Sequence, residues 1–185
     1  MDSQPPFRFD LVPFDVGSPH MDDAVSMYAS VFLQDPERSR HVVLDGVQRK
    51  DFLGRVALVD GFAVGMAFGA ATQVGHWWYD TIAEVLGFDH PALHGVWNLI
   101  ELAVLPGFRR RGLATALLDD LLSAQPYPRA LLSVIVGNAP ARTFYENRQW
   151  QYLHSDLTFP VAPNKHYAIM GRELGKTNAI RASTQ

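Results

Sequence analysis

A chain of 185 residues with 48% hydrophobic and 19% charged residues is long and apolar enough to bury a sizeable core, which excludes a disordered chain. Its 16 Lys and Arg against 19 Asp and Glu leave a net charge of −3, and the only basic run is Arg109 to Arg111, so no nucleic-acid partner is expected. The absence of cysteine excludes disulfides, thiolate metal sites and a cysteine acyl-enzyme.

Taken in order, Met1 to Pro6 reads as a loose tail. The opening MDSQPPFRFD has no apolar core, so no secretory signal is expected there. Phe7 to Val12 alternates as a first strand, and Met21 to Leu33 has helical spacing. Asp35-Pro36 reads as a break, with a second, weaker helix over Arg40 to Leu53. Arg55 to Val59 and Phe62 to Thr72 are strands joined by the hairpin turn Asp60-Gly61. Gly65 and Gly69 mark thin or bulged places in the return strand. That strand also holds one of the longest apolar runs, Phe62 to Ala71, which is too short to span a bilayer. A cytoplasmic protein with no membrane partner is expected.

Gln73 to Val96 is an aromatic insert with a possible helix over Trp78 to Leu86. Leu99 to Val104 is a buried strand bounded by Pro106-Gly107, and Leu113 to Ala124 is a helix. Ala130 to Val136 is apolar on both faces, as a covered central strand would be. Ala141 to Arg148 is a helix, Trp150 to Phe159 and His166 to Leu174 are final strands, and Gly175 to Gln185 is a polar tail expected to be disordered. This order predicts a mixed α/β fold with a largely antiparallel central sheet flanked by helices.

Between the strand ending at Val104 and the helix starting at Leu113 lies Arg109-Arg110-Arg111-Gly112. A strand, a tight basic glycine-bearing loop and a helix start make an anion site. The first amides of the helix lack intrahelical partners, and its dipole favours negative charge there. Gly112 lets the backbone approach an anion, and the arginines add charge and forked donors. The spacing fits neither G-x-x-x-x-G-K-[ST] nor G-x-G-x-x-G.

The pattern R-x-x-G-x-A at Arg109 to Ala114, preceded by E-L-A-V-x-P from Glu101 and followed by A-T-A-L-L from Ala114, resembles the acyl-CoA pyrophosphate loop of the GNAT superfamily of N-acetyltransferases. Asn138 to Tyr145 resembles that family's N-x-x-A-x-x-[LF]-Y element. The element order is also that of the GNAT fold, so the resemblance implies one domain over residues 1–174, with 175–185 as a tail. It implies acetyl-CoA as cosubstrate and an amine acceptor as the other partner. It implies pyrophosphate binding by Arg109, Arg110, Arg111, Gly112, Leu113, Ala114 and Thr115. The strand Leu102, Ala103 and Val104 would offer backbone groups to the pantetheine where two central strands splay apart. Asn138 would pair with pantetheine or backbone groups, or simply cap the next helix. Tyr145 would lie near the sulfur and protonate the leaving thiolate. Where the family commonly ends this helix with Gly-Phe, Gln149-Trp150 stands, so Asn147 or Gln149 must supply the stop.

An alkylammonium titrates near 10.4, so amine acetylation needs a base or a water relay. Glu101 is the only charge in an apolar strand, and burial there would raise its pKa toward a useful range; the alternative is a charge facing solvent or an arginine. His76 and Glu84 are reserves. The run His76-Trp77-Trp78-Tyr79 reads as an acceptor pocket or as a satellite core under a long loop. His90 and His94 are four apart, but no third ligand is in view and no metal is expected. The competing functional reading is a non-catalytic acyl-CoA-binding module. A monomer and a homodimer both remain open.

Overall fold

The computed structural model describes residues 7–175. In chain order its elements are β1 (Asp10–Pro13), α1 (Met21–Phe32), α2 (Pro36–Val47), β2 (Leu53–Val59), β3 (Phe62–Ala71), α3 (Trp77–Leu86), β4 (Val96–Val104), α4 (Leu113–Ala124), β5 (Arg129–Ile135), α5 (Ala139–Glu146), β6 (Gln151–Phe159) and β7 (Ala162–Glu173). The strands form a seven-stranded sheet in the order β1-β2-β3-β4-β5-β7-β6. β4 and β5 run parallel, whereas β1 with β2, β2 with β3, and β7 with both β5 and β6 are antiparallel. The expected fold class is therefore found. The expected tails, Met1 to Pro6 and residues 176–185, lie outside the described residues.

The elements group into two compact units, residues 7–70 with 100–125 and residues 71–99 with 126–175. In the first, β1 pairs with β2 from Asp10↔Leu58 to Pro13↔Arg55. The β2–β3 ladder slips between Ala57↔Gly65 and Leu58↔Ala63, so Val64 is an extra residue beside Gly65, where the sequence predicted an irregularity. The displaced Val64 carbonyl accepts from the Leu105 amide at 2.9 Å. Gly65 itself is tightly backed, because a Cβ there would lie 3.2 Å from the Ala103 carbonyl oxygen and 3.3 Å from Leu117. The core gathers Phe14, Met21, Val25, Val43, Met66 and Phe68, each large apolar side chain contributing about 1.5–3 kcal/mol on burial.

One helix departs from expectation. Residues Pro36–Val47 form α2, earlier than the predicted Arg40 to Leu53. Asp35-Pro36 starts this helix, whereas the previous one already stops at Leu33, whose φ of 51° is left-handed. The Asp35 carboxylate accepts from the Glu37 and Arg38 amides at 2.9 and 3.1 Å, and Pro36 sits in the first turn, where its missing N–H costs nothing. In contrast, α4 spans the residues its pattern predicted, with Leu113, Leu117, Leu118, Leu121 and Leu122 on its buried stripe. The Arg55 guanidinium pairs with Asp120 at 2.7 Å and ties β2 to this helix.

In the second unit, α3 packs Trp78, Tyr79, Ile82 and Ala83 against Leu131, Leu157, Phe159 and Ile169. β5 and β7 pair without a slip from Arg129↔Glu173 to Ile135↔Tyr167. The parallel ladder of β4 with β5 is short, from Val96↔Arg129 to Asn98↔Leu131. No helix among the described residues is long and apolar enough to cross a membrane.

Candidate active site

In the first unit the site begins where β4 ends. A single 3-10 turn at Pro106–Phe108 leads from the strand to Arg109, which is extended. Arg110 (φ 63°) and Gly112 (φ 87°) then take left-handed backbone, which reverses the chain into α4. Gly112 is the N-cap and carries no side chain, so the cap itself offers the first turn no capping bond. No acidic residue stands in that turn either. A Cβ built on Gly112 meets no atom within 4 Å. The start of α4 is thus a set of donors at the positive end of a dipole, with open space in front of it. These features fit the pyrophosphate of an acyl-CoA.

The three arginines differ in their engagement. Arg109 donates through Nε to the Val104 carbonyl at 3.0 Å, so part of its fork fastens the loop to the strand end. Arg111 lies over the Phe7 and Phe108 rings at 5.0 and 5.8 Å, a cation–π arrangement that limits its freedom. Arg110 is exposed and pairs with no protein group among the described residues. Of the strand residues, Ala103 and Val104 are buried and Leu102 half-buried. The β4–β5 ladder ends at Asn98↔Leu131, before Leu102 is reached.

Glu101 retains some surface as a residue, yet its carboxyl group is enclosed. Burial raises its pKa from the ordinary 4.5 to about 8, and a hydrogen bond from the Tyr28 hydroxyl opposes the shift. Tyr28 was legible only as an apolar-face position of α1. Nothing in its spacing announces a partner far along the chain.

In the second unit, Asn138 is the N-cap of α5, and its side-chain oxygen accepts from the Ala141 amide at 3.2 Å. Of its two readings the cap is what the structure displays, and its Nδ2 donor is left for another partner. Tyr145 is buried, with its ring edge-on to Phe144 at 5.2 Å and Trp150 at 5.7 Å. The helix stop falls to Gln149, whose φ of 65° takes the left-handed conformation, whereas Asn147 remains right-handed.

The aromatic insert divides. Trp78 and Tyr79 belong to the core, and Trp78 Nε1 donates to Ser133 Oγ at 3.2 Å. Trp77 is 41% exposed and stands edge-on to Phe159. His76 caps α3, its Nδ1 accepting from the Trp78 amide at 3.2 Å, and Glu84 lies exposed on that helix. His90 accepts from the Ala92 amide at 3.2 Å, and His94 Nε2 lies 3.3 Å from the Asp89 carbonyl. Among the described residues no group of three or more His, Asp or Glu is placed to hold a metal.

The family model for an acetyltransferase (GNAT) domain matches residues 56–151, more than half of the chain. The chain belongs to that family. No curated protein sequence matches it significantly. Among solved structures, it is similar to the ribosomal-protein-S18-alanine N-acetyltransferase from Escherichia coli, with 14% identity and a TM-score of 0.64 over 93% of this chain and 97% of that one. It is similar to aminoglycoside 6'-acetyltransferase type Ii, with 14% identity and a TM-score of 0.66 over 89% and 97% of the two chains. A third similar structure is the PaiA N-acetyltransferase from Thermoplasma acidophilum in complex with coenzyme A, with 11% identity and a TM-score of 0.60 over 90% and 99%. At these identities the likeness is one of fold.

Proposed function

We propose that this acetyltransferase-family chain moves an acetyl group from acetyl-CoA directly to an amine, either a small molecule or an N-terminal amine. The observation that carries the reading is the uncapped start of α4 at Gly112. The amides of Leu113, Ala114 and Thr115, with Arg110 and Arg111, are the proposed pyrophosphate holders. The backbone of Leu102, Ala103 and Val104 and the side chain of Asn138 are the proposed pantetheine partners. That one similar structure holds coenzyme A, and that others are named for amine-bearing acceptors, supports this choice of substrates. With no cysteine in the chain, direct transfer is the simpler route.

In the proposed reaction the amine nitrogen bonds to the acetyl carbon and the carbon–sulfur bond breaks. Glu101 takes the proton of the ammonium, for which a pKa of about 8 is closer to matched than that of an ordinary carboxylate. Tyr145 gives a proton to the departing sulfur. We place the protein in the cytoplasm, with acetyl-CoA and the amine as its partners.

The test is a panel of amines offered with acetyl-CoA while free thiol is followed. Thiol release that depends on the amine supports the reading. Slow thiol release that is the same with every amine overturns it in favour of an acyl-CoA-binding module.

A further inference from the structure

Tyr28 sits half-buried on α1, and its ring lies 4.7 Å from that of Phe32, one turn further along the helix. A pair at this spacing shares one helix face, so each ring limits the other. Tyr28 packs against the core of the first unit, and so does Ile100, the residue before Glu101. Ala103, two residues after Glu101, is a member of the same core. Alternation along a strand would turn residues three apart to opposite faces. Ile100 and Ala103 meet one core, so β4 breaks step between them, and Glu101 lies in the break. An irregularity of this kind re-aims a side chain. Here it leaves the Glu101 carboxyl enclosed, with the Tyr28 hydroxyl donating to it.

The neighbouring charges are engaged elsewhere. Asp22 of α1 pairs with Arg40 of α2, and Asp23 with His20. Asp45 of α2 pairs with Arg49, and Glu37, Arg38 and His41 on that helix are exposed. β3, which neighbours β4 in the sheet, has no titratable residue. Among the described residues, what acts on the Glu101 carboxyl is burial first and Tyr28 second. Burial favours the protonated form and the hydroxyl favours the ionised one.

We propose that Tyr28 is a positioning residue for the acetyl transfer: its hydroxyl holds one oxygen of the Glu101 carboxylate and leaves the other to take the proton of the ammonium. The inference rests on the reading of Glu101 as the base. Tyr28 keeps its own proton throughout, and the proton of the amine ends on Glu101. The Phe32 ring keeps the hydroxyl aimed.

Tyr28→Phe removes the hydroxyl and keeps the ring on Phe32, so the variant should fold, and its melting temperature is read first. The rise of kcat near pH 8 should then move up by about one unit, the scale of a hydrogen bond to a charged group. At pH 7 kcat should be about tenfold lower, with KM for acetyl-CoA unchanged. In a Glu101→Gln background Tyr28→Phe should alter the rate less than about twofold, because the group it acts through is gone. The second measurement needs no substrate. A carbon NMR titration of labelled glutamate carboxyls, with Glu101 identified from Glu101→Gln, should show the same upward shift in Tyr28→Phe. An unmoved Glu101 titration in folded Tyr28→Phe overturns the inference. So does a loss of rate in the Glu101→Gln background as large as that in the wild-type one. A shifted titration in a chain that acetylates no amine would overturn the proposed activity and leave the hold of Tyr28 on Glu101 standing.

Discussion

The chain makes the same local move twice, from a parallel strand through a short loop into a helix, and finishes it differently. After β5, Asn138 caps α5 and its oxygen takes up an amide of the first turn. After β4, Gly112 caps α4 with no side chain at all, and two left-handed residues clear the space in front. A capping side chain stabilises a helix start by about 1 kcal/mol. Leaving one out forgoes that gain and frees the amides for an outside anion. Helix starts alike in topology are thus a structural joint in one case and a candidate binding site in the other, and the difference is one side chain and a left-handed turn of backbone.

The comparison is broken most sharply at Gly112. Gly112→Asp places a carboxylate where a pyrophosphate is proposed to sit. Like charges so close cost several kcal/mol, so acetyl-CoA affinity should fall at least about 100-fold by calorimetry. Nothing crowds the new Cβ, and the left-handed backbone at φ 87° adds a strain of about 1–2 kcal/mol, so the melting temperature of the variant is read alongside its affinity. An unchanged affinity would turn the β4–α4 junction into a second version of the β5–α5 one.

Tyr145→Phe asks whether the second junction contributes chemistry as well as structure. The fold change expected in kcat is on the order of 100, the lower range for lost acid catalysis, with little change in KM for acetyl-CoA. An unaltered kcat would make Tyr145 a packing residue between Phe144 and Trp150.

Glu101 sharpens the comparison through pH. Activity that needs the ionised carboxylate should rise through pH of about 8 and level off above it, and Glu101→Gln should be slow throughout. Stability should run the other way. Between 4.5 and about 8 the folded chain keeps a proton that the unfolded chain has lost, so stability is greatest below that window and declines as pH rises through it. A melting temperature with the same pH slope in Glu101→Gln would remove the enclosed carboxyl from the account. The smallest effect belongs to the cap itself, since Asn138→Ala should cost about 1 kcal/mol in denaturant unfolding and Asn138→Asp much less.

Much of this was legible in the sequence where one local rule governs. The leucine stripe placed α4 to the residue, and the apolar run placed β5 to within one residue at each end. The Arg109 to Ala114 loop was readable because glycine at a helix start means open amides. Asp35-Pro36 was misread as a break because an Asp-Pro pair can end one helix or cap the next, and hydrophobic periodicity cannot tell these roles apart; here Leu33 ends α1 and Asp35 caps α2. The aromatic insert left two readings open because ring density alone does not say which rings are buried. Burial of Trp78 and Tyr79 depends on Leu131, Phe159 and Ile169, which are distant in sequence. Tyr28 was not legible as the partner of Glu101, since a hydrogen bond between side chains so far apart leaves no trace in spacing.

The most direct measurement is a calorimetric titration of the wild-type chain with acetyl-CoA, with ATP and NADH run alongside. Saturable binding of acetyl-CoA and not of the two controls is the predicted result. No binding of acetyl-CoA, or equal binding of all three, would mean that the Arg109 to Thr115 loop is an ordinary strand–helix connection, and the proposed activity would fall with it.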